Sequence, residues 1–190
     1  VAAALTVTDV DEGQAFFVPQ NTVGSYGNFT LDADGNWSYT RTADLQSMNA
    51  GEELTDSFAA VSLDGSASMP VTVTISGVND LAVIGGVTTG ELTEDESGVA
   101  AALTVTDVDE GEALFVPQNT AGSYGNFTLD TDGHWSYTQT ADLQSMNAGE
   151  ELTDSFAAIS LDGTASMPVT VTISGVNDLA VIGGVTTGEL

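Results

Sequence analysis

The sequence predicts an all-β protein made of tandem antiparallel β-sandwiches. Three observations carry that expectation. Residues 1–92 align with 99–190 without a gap, and 84 of the 92 pairs are identical, so the chain holds two copies of a 98-residue unit. Within each copy, short stretches alternate apolar with polar residues and are rich in Val, Thr, Phe and Tyr. Asp-Gly turns punctuate them, and no stretch reads as three turns of amphipathic helix.

The second copy, which is complete, gives the strands in order: 87–93 (VTTGELT), 99–107 (VAAALTVTD), 112–118 (EALFVPQ), 124–130 (YGNFTLD), 134–140 (HWSYTQT), 152–161 (LTDSFAAISL) and 168–175 (PVTVTISG). Asp130-Thr131-Asp132-Gly133 closes a hairpin between the fourth and fifth, since glycine supplies positive φ without steric cost. Asp162-Gly163 closes the last hairpin likewise. Segment 141–151 is the one place that suits a helical turn. Side-chain parity places Leu103, Val105, Phe127, Leu129, Trp135, Tyr137, Phe156, Ala158, Val169, Val171 and Ile173 in the core. Seven short strands with turns between them describe a sandwich. A first module is expected over 1–84, lacking its own first strand, and a second, complete module over 85–184. Residues 185–190 repeat 87–92 and form either the first strand of a following module or a donor strand.

Charge narrows the function. The chain has 28 Asp and Glu against one Lys or Arg (Arg41), a formal net charge of −27, and no cysteine. Phosphate backbones and anionic membrane surfaces repel such a polyanion, so neither nucleic acid nor membrane insertion is expected. Disulfides and thiolate chemistry are excluded. With 42% hydrophobic residues the chain is not a disordered acidic tail. The opening VAAALTVTD carries no basic region of the signal-peptide kind. Catalysis is not expected: the sole histidine, His134, is Asn36 in the first copy, so no repeated base is available to activate a serine.

The second copy reads LTEDESG, LTVTDVDEG, YGNFTLDTDGHWSYT, ADLQSMNAGEELTDSFAAISLDG and VTVTISGVNDLAV in sequence. That order resembles the VCBS repeat of large secreted bacterial adhesins of the RTX type, over the whole 98-residue unit, twice. It is similar at greater distance to cadherin repeats. The resemblance implies an Ig-like or cadherin-like sandwich, Ca²⁺ at module junctions, a secreted or cell-surface location, and a stalk or extender role in cell adhesion and biofilm. Its partners would be neighbouring identical modules, with surface glycans reached through other domains. Two positions depart from the cadherin pattern. Gly77 and Gly175 stand where a linker aspartate is usual, and Val83 and Val181 stand where a proline is.

Clustered carboxylates suit a hard cation, which takes six to eight oxygen ligands. Alternate loops of a sandwich lie at opposite ends. Asn79 and Asp80 from the linker are therefore expected to meet Asp107, Asp109 and Asp162 of the second copy, with Glu52 or Glu53 joining from the first. The set expected at the far end of the second copy is Glu94, Asp95, Glu150, Glu151, Asn177 and Asp178. The set at the near end of the first is Asp9, Asp11 and Asp64. The other reading is that these acids are solvated and serve solubility. The DxDG turns, with Asp32, Asp34, Asp130 and Asp132, read better as hairpin turns than as calcium loops, because the rest of an EF-hand is missing.

Two further readings stand beside the calcium-stiffened stalk. Tyr26 and Tyr124, of opposite parity to the core, are candidates for a glycan-binding face. The incomplete first module and the recurring strand suggest head-to-tail filaments. In these, Val185, Thr187 and Leu190 of one chain would complete the first module of the next, and Leu190 would pack there as Leu92 packs in the second module.

Overall fold

A computed structural model describes residues 1–188. It divides into two compact units, Val1–Asn79 and Asp80–Leu190. No helix occurs among the described residues. The first unit contains β1 (Ala2–Ala4), β2 (Gln20–Val23), β3 (Gly27–Leu31), β4 (Asn36–Arg41), β5 (Glu53–Val61) and β6 (Ser68–Ser76). The second contains β7 (Val83–Gly86), β8 (Thr89–Thr93), β9 (Gly98–Thr106), β10 (Gln118–Ala121), β11 (Gly125–Leu129), β12 (His134–Gln139), β13 (Glu151–Ile159) and β14 (Ser166–Ser174).

Each unit is a sandwich of two sheets. In the first unit the orders are β1-β4-β3-β2 and β5-β6. In the second they are β10-β11-β12-β9-β7 and β13-β14-β8. All pairings are antiparallel except β14 with β8, which runs parallel. The alternation legible in the sequence is the alternation of burial: Phe127 and Leu129, Trp135 and Tyr137, and Val169, Val171 and Ile173 all point inward. Phe127 stacks on Phe156 with ring centroids 4.7 Å apart, joining the two sheets. Gly133 takes φ 90° in the β11–β12 turn, as the Asp-Gly signal requires.

Three expectations need correction. Residues 112–118 are not a continuous strand. Glu112 and Leu114 are drawn into a tight turn by bonds from Glu112 N to Asp109 O and Leu114 N to Glu112 O, leaving a single bridge at Phe115 to Ser160. Segment 141–151 forms turns rather than helix. Tyr124 is half-buried and packs against the core instead of standing free. Val83–Gly86 is an additional strand hydrogen-bonded to β9. Leu190, expected in the recurring strand, lies outside the described residues.

A carboxylate inside each sandwich ties its layers. Asp154 on β13 is 5% exposed. It accepts the Tyr137 hydroxyl at 2.7 Å from the opposite sheet, and the Ser123 and Tyr124 amides at 2.9 Å each from the β10–β11 turn. Burial drives its pKa up, but these donors outweigh that and hold it below the ordinary aspartate value. A Cβ at Gly122 would collide with this carboxylate, so the turn can approach only as glycine. Asp56, Tyr39, Ser25, Tyr26 and Gly24 repeat the arrangement in the first unit.

Removing the tyrosine donor leaves a buried charge short of one bond. Tyr137→Phe is therefore expected to lower the stability of the second unit by about 1.5–3 kcal/mol, read by denaturant unfolding followed through Trp135 emission. The depressed pKa of Asp154 adds a sign. Its stabilising contribution is present above the unfolded aspartate value and lost as pH falls through the lower folded value. The gap between Tyr137→Phe and the parent should accordingly shrink in acid.

Candidate metal centre

The second unit gathers acids where β9 ends. Asp107 Oδ1 accepts the Asp109 amide at 2.9 Å, which curls the chain back after the strand. Gly111, with φ 81°, then turns Glu112 toward the same spot. Asp162 arrives from the β13–β14 hairpin, where its Oδ1 accepts the Ser160 hydroxyl at 2.6 Å and the Thr164 amide at 3.2 Å. One oxygen each from Asp107, Glu112 and Asp162 lie within 4.8 Å of one another. Asp109 is beside them at 2% exposure, and its Oδ2 accepts the Asp80 amide at 2.7 Å.

This arrangement is electrostatically incomplete. Asp107 Oδ2, Asp109 Oδ1 and Glu112 Oε2 are buried without a hydrogen-bond partner. An orphaned buried carboxylate oxygen is costly, and several close together repel. Desolvation pushes the Glu112 pKa up, and Asp109, Asp162 and Asp107 push it further. Residues 80–190 contain no Lys or Arg. Their single histidine, His134, sits 3.2 Å from Asp130 in a different hairpin. A hard divalent cation, which prefers carboxylate oxygen, fits the donor set. Asp107, Glu112 and Asp162 would hold it, with Asp109 Oδ1 adjacent.

The other residues expected to bind metal are placed as follows. Asp80 is half-buried and linked to Asp109, and Asn79 is the last residue of the first unit. Glu94 is 3% exposed, and both its oxygens accept the Val176 amide, at 2.9 and 2.8 Å. Asp95 accepts Gln144 Nε2 at 3.2 Å. Glu150 accepts the Asn147 amide at 2.7 Å, as Glu52 accepts that of Asn49 at 2.9 Å. Glu53 and Glu151 are exposed first residues of β5 and β13. Asn177 and Asp178 are exposed, with Asn177 Nδ2 donating to the Asp178 carbonyl at 3.0 Å.

In the first unit, Asp9 accepts the amide of exposed Asp11 at 2.8 Å. Asp64 accepts Ser62 Oγ at 2.7 Å and the Ser66 amide at 3.1 Å, and these bonds pull its pKa down to about 2. Among the described residues, only Asp107, Glu112 and Asp162 converge as three acids. Glu112 is the member that sequence reasoning missed. Its signal was the replacement of Gln14 by Glu112 between otherwise near-identical copies.

The sequence profile of the bacterial cadherin-like domain matches residues 1–77 and again 79–175, so the chain belongs to that family. No curated protein matches by sequence. Among solved structures, the protocadherin GammaB4 extracellular domain is similar at 20% identity and TM-score 0.46, over 87% of this chain and 27% of that one. Protocadherin Gamma B2 extracellular cadherin domains 1–5 give 17% and 0.49, over 92% and 35%. Chicken VE-cadherin EC1-2 gives 19% and 0.36, over 93% and 92%. The chain thus spans about a third or less of these two protocadherin chains.

The raised pKa of Glu112 fixes the direction of a pH effect. Its folded value lies above the unfolded one, so stability is full below the unfolded value and is lost as pH rises through the folded value. In chelator, the melting temperature of the second unit should fall across that rise. Glu112→Gln should flatten the fall and leave the variant more stable than the parent at neutral pH.

Proposed function

We propose that this chain is a non-enzymatic structural repeat of an extracellular fibre or adhesin stalk, stiffened by Ca²⁺. The observation that carries the reading is the set of buried, unpartnered carboxylate oxygens on Asp107, Asp109 and Glu112, with Asp162 alongside. Membership of the bacterial cadherin-like family supports it, as does the tandem duplication. Among the described residues no helix is long and apolar enough to cross a membrane.

The ion would supply the positive charge that residues 80–190 lack. Without it the carboxylates repel across the loop after β9 and the β13–β14 hairpin. With it the two loops share one counter-charge. The Asp80 amide is bound to Asp109, so the entering segment is fixed by the same cluster. Ala82 N, which donates to Thr164 Oγ1 at 2.9 Å beside Asp162, adds a second tie. Order at the cluster thereby becomes order in the segment between modules, and in a tandem array that means resistance to bending. Extracellular calcium modules of this kind bind at about 10⁻⁴–10⁻³ M.

Calcium at a hundredfold excess over Kd should stabilise the second unit by about 2.7 kcal/mol. Calorimetric melts with calcium and with EDTA would read this, and scattering on the same samples should show a more extended chain with calcium. Glu112→Gln should lose most of the calcium increment. A melt unchanged by EDTA would overturn the proposal.

A further inference from the structure

Each unit carries an apolar strip on its solvent side. In the second unit it forms where the chain before β10 runs antiparallel to the end of β13. Phe115 bridges Ser160, Val116 N is bonded to Ile159 O, and Leu161 N to Leu114 O. Phe115 and Ser160 are fully buried. Strand alternation therefore sends Leu114, Val116, Ile159 and Leu161 to the opposite face. They stand there as two cross-strand pairs, Leu114 beside Leu161 and Val116 beside Ile159. Ala157 and Pro168, paired between β13 and β14, continue the strip. The first unit repeats it with Phe16, Val18, Val61 and Leu63, continued by Ala59 and Pro70.

Phe16, Val18, Leu63, Val116, Ile159 and Leu161 are each between 39% and 48% exposed. Single exposed apolar side chains are ordinary, whereas a contiguous set on one face marks a surface that meets something. The two copies differ within the strip and keep its character. Phe16 stands against Leu114 and Val61 against Ile159. Both positions stay apolar, and as one diagonal neighbour shrinks the other grows. Differences elsewhere include changes of charge, Gln14 to Glu112 and Arg41 to Gln139. The strand edge next to the strip is closed to backbone pairing at one point in each unit. Gln118 Nε2 donates to the Ala157 carbonyl at 2.9 Å, and Gln20 Nε2 to that of Ala59 at 2.8 Å. The strip therefore offers side chains, not an open ladder.

Its charge is polarised. At one end Leu63 runs into Asp64 and Leu161 into Asp162. Backbone bonds fold Asp11 back toward Phe16, and Asp109 toward Leu114. Serine donors lower the Asp64 pKa, so that end of the first strip stays ionised. In the second unit Asp107, Asp109, Glu112 and Asp162 formally carry more charge than one divalent ion removes, so the end is anionic with the metal site filled as well. The other end is neutral: the next outward pair is Ser155 with Thr170, and Ser57 with Thr72 in the first unit. A surface that is apolar along its length and negative at one end complements a segment with apolar side chains and a cation at one end. A second copy of this chain is a poor match, since it brings one arginine, no lysine and 28 acids of its own.

We propose that each strip is a docking face for a segment of another protein that is apolar on one side and carries Lys or Arg at the end meeting Asp64 or Asp162. Burial of the apolar side chains supplies the affinity, and the acids fix the direction in which the segment lies. The proposal does not rest on the calcium reading. No side chain of the strip belongs to the metal cluster, and the first unit has the strip while its acids do not converge as those of the second do.

The probe is a fluorescein-labelled peptide in which two lysines precede alternating leucines and threonines. It is titrated with the full chain in calcium-containing buffer at physiological salt and followed by fluorescence anisotropy. Saturable binding is expected. Replacing the lysines by glutamates, or the leucines by serines, should weaken it by about tenfold or more. Leu63→Ser combined with Leu161→Ser should weaken binding of the original peptide by about as much, and leave circular dichroism unchanged because both side chains are exposed. Val23→Ser, at an exposed apolar position on β2 outside the strip, should bind as the parent does. Absence of saturable binding, equal binding of the glutamate or serine peptide, or unchanged binding by the double-serine chain would overturn the proposal. So would sedimentation of the parent as a dimer that the double-serine chain does not form, which would make a second copy the occupant.

Discussion

A sandwich of this size stands or falls by how its two sheets are joined, and here the join is a buried carboxylate. Asp154 and its twin Asp56 reach across the core to a tyrosine hydroxyl and hold the amides of a tight turn at the sheet end. The aromatic stack of Phe127 on Phe156 fills the space next to it. Stacked rings are tolerant of sliding, whereas a charged acceptor with three fixed donors is not. The Tyr137–Asp154 bond ties β12 to β13 across the core.

The two acidic environments show how context decides what a carboxylate does. Asp154 is buried yet fully answered by donors, so it stays charged and structural. Asp107, Asp109 and Glu112 are buried at a loop junction with oxygens left over and no Lys or Arg within their unit. The first satisfies itself from within the fold. The second leaves oxygens that the fold does not answer, and these are what the proposed cation would bind. The first-unit counterparts Asp9 and Asp64 lie between these cases, because Gln14 removes one charge and Asp64 is answered by serine donors.

Much of the fold was legible because period-two alternation survives in nearly every strand. Strands β11 and β12 could be placed within a residue or two from parity and an Asp-Gly turn. β7 could not, since Val83-Ile84-Gly85-Gly86 reads as a linker until its partner β9 is known. Glu112 was lost inside a stretch that alternates like a strand but is bent by local backbone bonds. Asp154 had a visible clue, sharing parity with Phe156 and Ala158, but parity alone does not say whether an inward carboxylate will find donors. Those donors come from residues about 17 and 30 positions away, and one sequence shows no such contact.

The single arginine, in a chain without lysine, has a consequence for durability. Arg41 closes β4, paired opposite Gly27, and the next amide, Thr42 N, is bonded to the Tyr26 carbonyl. A protease that cuts after lysine or arginine therefore finds one candidate bond in the whole sequence, and that bond is locked in a ladder it must first open. The composition that makes the chain so acidic also makes it nearly invisible to that class of enzyme as long as the first sandwich stays folded.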